Sequence, residues 1–338
     1  MHPSPTVVDA APFSRNAQRF ANRLPIGAFK QVYDTNLVHE ALSGLPRSAH
    51  ESLRETYEKM LATGGERLNV KPSDVAALDP LYGELPNFRE VLDDLRKQIA
   101  LAASGSDPLE IAPMLLLGPP GIGKTHFARR LSQLLGTGYG FLGMSALTAG
   151  WIIGGTASGW KNAKPGKVFD TLVGGHYANP VLVVDEIDKA GGGEYDPLGA
   201  MYSLLEHDTA KTFVDEFAEV PVDAADVIWI ATANDDGAIP EPILSRMNVF
   251  EVPAPDEAGV ICIARSIYRD IRNSHDWGRS FPEEPGESTM ARLAELSPRD
   301  MRRVIFNAFG AAKLEGRDVI EARDIDDRRA GRRQRIGF

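Results

Sequence analysis

The chain has 338 residues, 43% hydrophobic and 25% charged, which suits roughly two folded units at about 100 to 200 residues each and excludes wholesale disorder or a collagen-like repeat. Its apolar runs, such as Val227 to Ala231, are far shorter than the roughly 20 residues of a membrane-spanning helix. Met1 to Ala10 shows no basic region followed by an apolar run, so a cytoplasmic address and no membrane partner are expected. One cysteine, Cys262, and seven histidines without zinc-ligand spacing leave no basis for an internal disulfide or a structural zinc. The net charge of −10 opposes non-specific attraction to nucleic-acid phosphates.

In chain order, the first forty or so residues mix Pro, Ser, Asn and Ala without a period and predict a loosely structured arm. Ser48 with Glu51 forms a capping box ahead of Leu53, Tyr57, Met60 and Leu61, a helical stripe that Gly64 and Gly65 end. Lys71 to Pro80 reads as a connector, and Asn87 with Glu90 as the cap of a helix bearing Val91, Leu92, Leu95 and Ile99. From Met114 the pattern changes to short apolar runs alternating with helical stretches, the signature of an α/β fold whose parallel sheet is covered by helices. Five strands are predicted, at Met114 to Leu117, Tyr139 to Met144, Val181 to Val184, Val227 to Ala231 and Val249 to Val252. Helices are predicted at Lys124 to Leu135, Lys167 to Val173 and Pro197 to Glu206, the last capped by Asp196. After Pro253 only helical periodicity follows, at Val260 to Ile271 and Pro298 to Leu314, before a short strand near Val319 and Ile320. The expected division is an accessory segment at 1–79, a nucleotide-binding domain at 80–256, a helical lid at 257–327 and a basic tail at 328–338.

Gly118, Pro119, Pro120, Gly121, Ile122, Gly123, Lys124 and Thr125 match the phosphate-binding loop between a strand and a helix. Glycines let backbone N–H groups wrap phosphates, the helix N-terminus adds a positive dipole, and Lys124 reaches the terminal phosphate oxygens while Thr125 ligates Mg²⁺. ATP and Mg²⁺ are therefore the expected cofactors, with His126 following the loop. The buried run Val181 to Val184 ends in Asp185 and Glu186, placed where a doubly wound sheet binds ligands. Asp185 is suited to Mg²⁺, and Glu186 to taking a proton from water.

In combination these segments resemble the AAA+ ATPases, most closely the ATPase module of the Lon family. Val184-Asp185-Glu186-Ile187-Asp188-Lys189 is similar to that module's acidic strand end, followed in the family's order by Asp196-Pro197 and Leu204-Leu205-Glu206. Ile230-Ala231-Thr232-Ala233-Asn234, the stretch Ile239 to Met247, and Leu81-Tyr82-Gly83 extend the resemblance over about Leu81 to Asp327. It implies that Tyr82 and Gly83 meet the adenine, that Asn234 orients water or the γ-phosphate, and that Arg246 reaches the neighbouring subunit's phosphate in a homo-oligomeric ring, a hexamer. Arg299 takes the lid's phosphate-sensing position, with Arg302 and Arg303 close behind as competitors; a turn-forming Asn234 and a surface Arg246 are the bland alternatives.

Between the second and third strands, Leu147 to Gly166 makes a Gly-rich loop long enough to project from the sheet. Its end resembles the Lon pore loop, with Trp160 at the aromatic position and Lys161 where the family carries an aliphatic residue. The alternative is that Trp160 or Trp151 anchors the loop to the core. With a lid and an arginine-rich tail, Arg328 to Phe338, filling the end of the sequence, no protease domain is expected. Three readings follow: an ATP-driven ring that remodels or threads proteins, a nucleic-acid-associated ATPase, and a nucleotide-controlled scaffold.

Overall fold

A computed structural model of the chain describes residues 26–46, 51–146, 151–160, 163–190 and 198–326. It begins with strand β1 (Ile26–Gln31), helices α1 (Thr35–Gly44) and α2 (Glu51–Thr63), and β2 (Glu66–Lys71), which pairs antiparallel with β1. Short α3 (Asp79–Glu84) and long α4 (Arg89–Ala103) lead into β3 (Met114–Leu117), α5 (Lys124–Leu135) and β4 (Tyr139–Gly143). Next come α6 (Trp151–Gly154), α7 (Lys167–Val173) and β5 (Val181–Asp185). Single turns α8 (Met201–Leu204) and α9 (His207–Ala210) precede a hairpin of β6 (Phe213–Val214) and β7 (Pro221–Val222). β8 (Ile228–Ala233), α10 (Glu241–Leu244) and β9 (Asn248–Glu251) complete the sheet, and α11 (Glu257–Ser274), α12 (Glu287–Ala294) and α13 (Pro298–Leu314) follow.

The central sheet is parallel and five-stranded in the order β4-β5-β8-β3-β9. Alternation along each strand feeds two cores. Leu115, Leu142, Leu182, Val184, Trp229 and Ala231 face one, with α7 and the N-terminal helices. Met114, Leu116, Val181, Val183, Ile228 and Ile230 face the other, with α4 and α5. Burial on both faces is why these strands read as continuous apolar runs. A third core joins α11, α12 and α13 around Tyr268, Phe281 and Phe309. No described helix is long and apolar enough to cross a membrane.

Several expectations are corrected. The arm contains β1 and α1, and within 71–80 β2 is followed by a 3₁₀ turn at Val75–Leu78 and the start of α3, so the connector is structured. Asn87 caps nothing; α4 starts from Phe88, and the Asn87 amide donates to Pro253 O at 3.2 Å, tying the phosphate-loop region to the segment before α11. The helix expected over 197–206 is only the turn Met201–Leu204 among the described residues, with Asp196 and Pro197 outside them. Val319 and Ile320 form no strand; Ile320 is buried and its carbonyl accepts from Thr289 Oγ1 at 2.9 Å. Ser48 and the tail from Asp327 onward lie outside the described residues.

Buried polar groups hold the N-terminal segment to the sheet. Tyr57 donates to Ala218 O at 2.7 Å, and Lys71 Nζ donates to Ala102 O, Gly105 O and Asp107 O at 2.7, 2.8 and 2.6 Å, closing the C-terminus of α4. Arg67, only 4% exposed, donates through Nε to Leu172 O at 2.9 Å, through Nη1 to Gly64 O and Glu66 O, and through Nη2 to Val173 O at 2.6 Å. Arg67→Met would keep the bulk and take the guanidinium donors from Leu172 O, Val173 O and Glu66 O, while Gly64 O keeps the Tyr33 hydroxyl, so it should cost on the order of 3 kcal/mol in urea denaturation. A change below about 1 kcal/mol would show that water replaces the guanidinium.

Candidate functional site

The site is built where β3, β5 and β8 end together. Their parallel register sets Leu117 beside Ala233 and Val184 beside Ala231, so the residues after each strand share one edge. Gly118 donates its N–H to Ala233 O at 3.2 Å, and a Cβ there would stand 2.2 Å from Val252 O, a close approach that only glycine permits. Gly123 precedes α5 in the left-handed region at φ 104°, aiming the helix's first amides into the loop.

Lys124 is 8% exposed. Its Nζ donates to Gly118 O at 2.5 Å, Pro119 O at 3.1 Å and Asn234 Oδ1 at 3.0 Å. Loss of hydration holds this ammonium below the usual lysine range, opposed by Asp188, Asp185 and Glu186. The fold thus joins Lys124 and Asn234 from opposite ends of the nucleotide-site sequence. Turn formation falls to Asp235, whose Oδ1 accepts from Gly237 N at 2.9 Å.

Asp185 Oδ1 accepts from Thr125 Oγ1 at 2.6 Å and from Thr232 Oγ1 at 2.8 Å, and Thr232 Oγ1 in turn accepts from Glu186 N at 3.0 Å. Thr232, 1% exposed, was given no role in the sequence reading although it is the one hydroxyl in the wholly buried strand β8. It positions both acids. A hydroxyl and a carboxylate converging this way match the hard oxygen donors Mg²⁺ prefers, so Thr125 and Asp185 fit the ion. Glu186 sits at φ 56°, a strained conformation for a side-chain-bearing residue, and its carboxylate has no ion-pair partner among the described residues.

The other predicted residues divide. Arg299 is exposed at the start of α13 and lies against the loop, its Cβ 3.4 Å from where a Gly121 Cβ would be. Arg302 is paired with Asp270 at 2.7 Å and Arg303 with Asp300 at 3.4 Å. Tyr82 is turned onto α4, donating to Asp93 Oδ1 at 2.6 Å under the guanidinium groups of Arg89 and Arg96. Gly83 and His126 are exposed, and Pro119, Pro120 and Ile122 complete the loop. Arg246 is not brought to this edge. It precedes β9, whose Asn248 pairs with Met114 at the opposite end of the sheet, and its Nη2 meets Glu206 Oε1 at 2.7 Å.

Residues 114–253 match the profile of the ATPase family associated with various cellular activities, AAA. This stretch is an AAA ATPase module. The mitochondrial Lon protease homolog of Eremothecium gossypii is 35% identical over 308 residues, 88% of this chain and 28% of that protein. Lon protease 4 of Sorangium cellulosum is 29% identical over 231 residues, 65% of this chain and 28% of that protein. A mutant RuvB of Thermotoga maritima superposes at a TM-score of 0.47 with 16% identity, over 70% of this chain and 67% of that one. The chain spans between 19% and 29% of the length of the first curated relatives it matches.

Within the same module, the Gly-rich loop that follows β4 is rooted on Asp215. Its Oδ2 accepts from Gly166 N at 2.8 Å, and its Oδ1 from Phe217 N at 3.0 Å and Ala218 N at 3.2 Å. Gly155, at φ 87°, passes so close that a Cβ would stand 2.5 Å from Oδ1. Lys164 N donates to Thr156 Oγ1 at 2.7 Å and closes the two legs. Beyond that root Trp160 is 53% exposed and meets Trp151 edge-on, with ring centroids 6.4 Å apart. Trp160 is therefore not a core anchor. Lys161 lies outside the described residues.

Burial pushes the Asp215 carboxyl up to about 6, against the lowering effect of its three backbone donors and with a further rise from Asp170. Because the folded value lies above the unfolded one, its stabilising contribution is complete below about pH 4 and is lost as pH rises through about 6. Asp215→Asn removes this titration. Its melting temperature relative to the parent should therefore rise between about pH 4 and pH 6 and level off above, and a flat difference would show that the carboxylate is not desolvated.

Proposed function

We propose that this chain is an ATP-hydrolysing motor of a homo-oligomeric ring, a hexamer, that threads or remodels protein clients. The convergence of Lys124, Thr125, Asp185 and Asn234 on one sheet edge, beside a Glu186 carboxylate without an ion-pair partner among the described residues, carries the ATPase part. Lys124 binds the terminal phosphates, Asn234 holds that lysine and orients the attacking water, and Glu186 accepts the water's proton. Mg²⁺ bound by Thr125 and Asp185 would offset phosphate charge. Arg299 reaches the phosphates from the lid, which we place at 257–327 after a nucleotide domain of 80–256, and Tyr82 and Gly83 border the adenine.

The place of Arg246 supports assembly. At about 3.3 Å per residue, the length of β9 and its flanks separates Arg246 from its own phosphate loop by roughly 15 to 20 Å. Only a second copy's site is within its reach, where a planar cation stabilises charge developing in the transition state. Trp160 supports the threading part, since a large exposed ring on a loop rooted at one buried carboxylate can grip a chain irrespective of its sequence. The Lon relatives carry the same module in proteases, so an action on polypeptides is the reading we favour over nucleic acid.

Lys124→Ala should abolish ATP binding, whereas Glu186→Gln should retain it and lower the turnover number about 100-fold or more. Unchanged turnover in the glutamate variant would remove Glu186 as the base. Trp160→Ala should melt like the parent, because more than half the side chain is already in water, yet lose stimulation of turnover by an unfolded protein such as casein. An unfolded protein that still stimulates the variant fully would take Trp160 out of the mechanism.

A further inference from the structure

Glu206, which closes the Leu204-Leu205-Glu206 stretch, has no part in the nucleotide site, yet it meets the arginine proposed to act between copies. Its backbone is firmly placed. Leu204 and Leu205 are buried in the core that also takes Ile243 of α10, so α8 and α10 pack side by side. Glu206 then leaves that core at the cap of α9, where its carbonyl accepts from Ala210 N at 2.9 Å and from Thr209 Oγ1 at 3.2 Å. Its carboxylate makes no cap bond and turns instead to Arg246, with Oε1 lying 2.7 Å from Nη2.

The pair does little for stability, since both side chains keep contact with water and an exposed ion pair contributes little. Its effect is on orientation. Arg246 Nε is out of water without a hydrogen-bond partner among the described residues, and Nη1 donates to Pro242 O at 2.5 Å. The N–H donors left for a phosphate therefore sit on the terminal nitrogens, as a fork suited to a pair of phosphate oxygens. Pro242 fixes one arm of that fork and Glu206 the other. We infer that Glu206 is a positioning residue for Arg246, holding the guanidinium so that a second copy's nucleotide meets it already oriented, without a search through arginine's many rotamers. This rests on the reading of Arg246 as a cation supplied between copies, and adds to it the residue that aims that cation. Loss of Glu206 thus acts on turnover and leaves ATP binding, which belongs to the phosphate loop, as it was.

The test is ATP turnover by the full chain, alone and in mixtures of variants. Glu206→Ala should melt like the parent, because 46% of the side chain is already in water, and should lower kcat about tenfold with KM for ATP unchanged. Glu206→Gln, which keeps the shape and loses the charge, should lower kcat about threefold, and it stands in if the alanine variant melts early. Mixing shows which side of the contact is damaged. Glu206→Ala mixed with Lys124→Ala should regain turnover above the sum of the parts, because some contacts then join an intact phosphate loop to an aimed arginine, whereas Glu206→Ala mixed with Arg246→Ala should not. A general loss of structure would show no such asymmetry. Where Arg246→Ala alone is inactive and is rescued by Lys124→Ala, three results overturn the positioning role and leave Arg246 in place: parent-like or faster turnover in both Glu206 variants, a loss carried by KM, or rescue of Glu206→Ala by Arg246→Ala and not by Lys124→Ala. If Arg246→Ala itself turns over like the parent, or Lys124→Ala fails to rescue it, the reading of Arg246 falls and this inference with it.

Discussion

One carboxylate oxygen connects the parts of the nucleotide site. Asp185 Oδ1 accepts from Thr125 at the start of α5 and from Thr232 inside β8, and Thr232 receives the amide of Glu186. Phosphate loop, acidic strand end and neighbouring strand are thereby fixed relative to one another. The geometry depends on the parallel register, since a slip of one residue would turn Thr232 from the nucleotide edge into the opposite core. Lys124 adds a second crossing by reaching Asn234, so each segment is held by at least two others.

The Gly-rich loop is held differently. There the tie is a carboxylate with three backbone donors and, among the described residues, no ion-pair partner, buried at a cost that appears as a raised proton affinity. A loop rooted at one buried point can project aromatic rings into water without a hydrophobic core of its own. Exposure of Trp160 and of Val214 on the adjacent hairpin is the consequence. The nucleotide edge is cross-braced by side chains from several strands, whereas the loop is tied at its base by Asp215 and by the bonds between Thr156 and Lys164.

The N-terminal segment shows where local pattern is silent. Its predicted helix at 51–63 is present, whereas β1 and β2 pair across more than thirty residues and are short and mixed in polarity, with no strict alternation to mark them. What orders them is tertiary: Arg67 on the carbonyls of α7, Lys71 on the end of α4, Tyr57 on Ala218. Asn87 misleads for a related reason. Its side chain suits a helix cap, but the carbonyl of Pro253, 166 residues away, is the partner it takes.

From its residues alone, the chain determined the five strands, the long helices of the nucleotide domain and lid, the phosphate loop and the acid pair, because each is a local pattern with a single physical reading: buried runs, helical stripes, or glycines at a strand-to-helix turn. Distance decided the rest. The relay through Thr232, the burial of Asp215 and the choice of Arg299 over Arg302 as the arginine facing the loop all bring together residues separated in sequence. A hydroxyl, an acid or an indole reads the same in the sequence whether it is solvated or buried, and only the packed sheet and its loops determine which neighbour it meets.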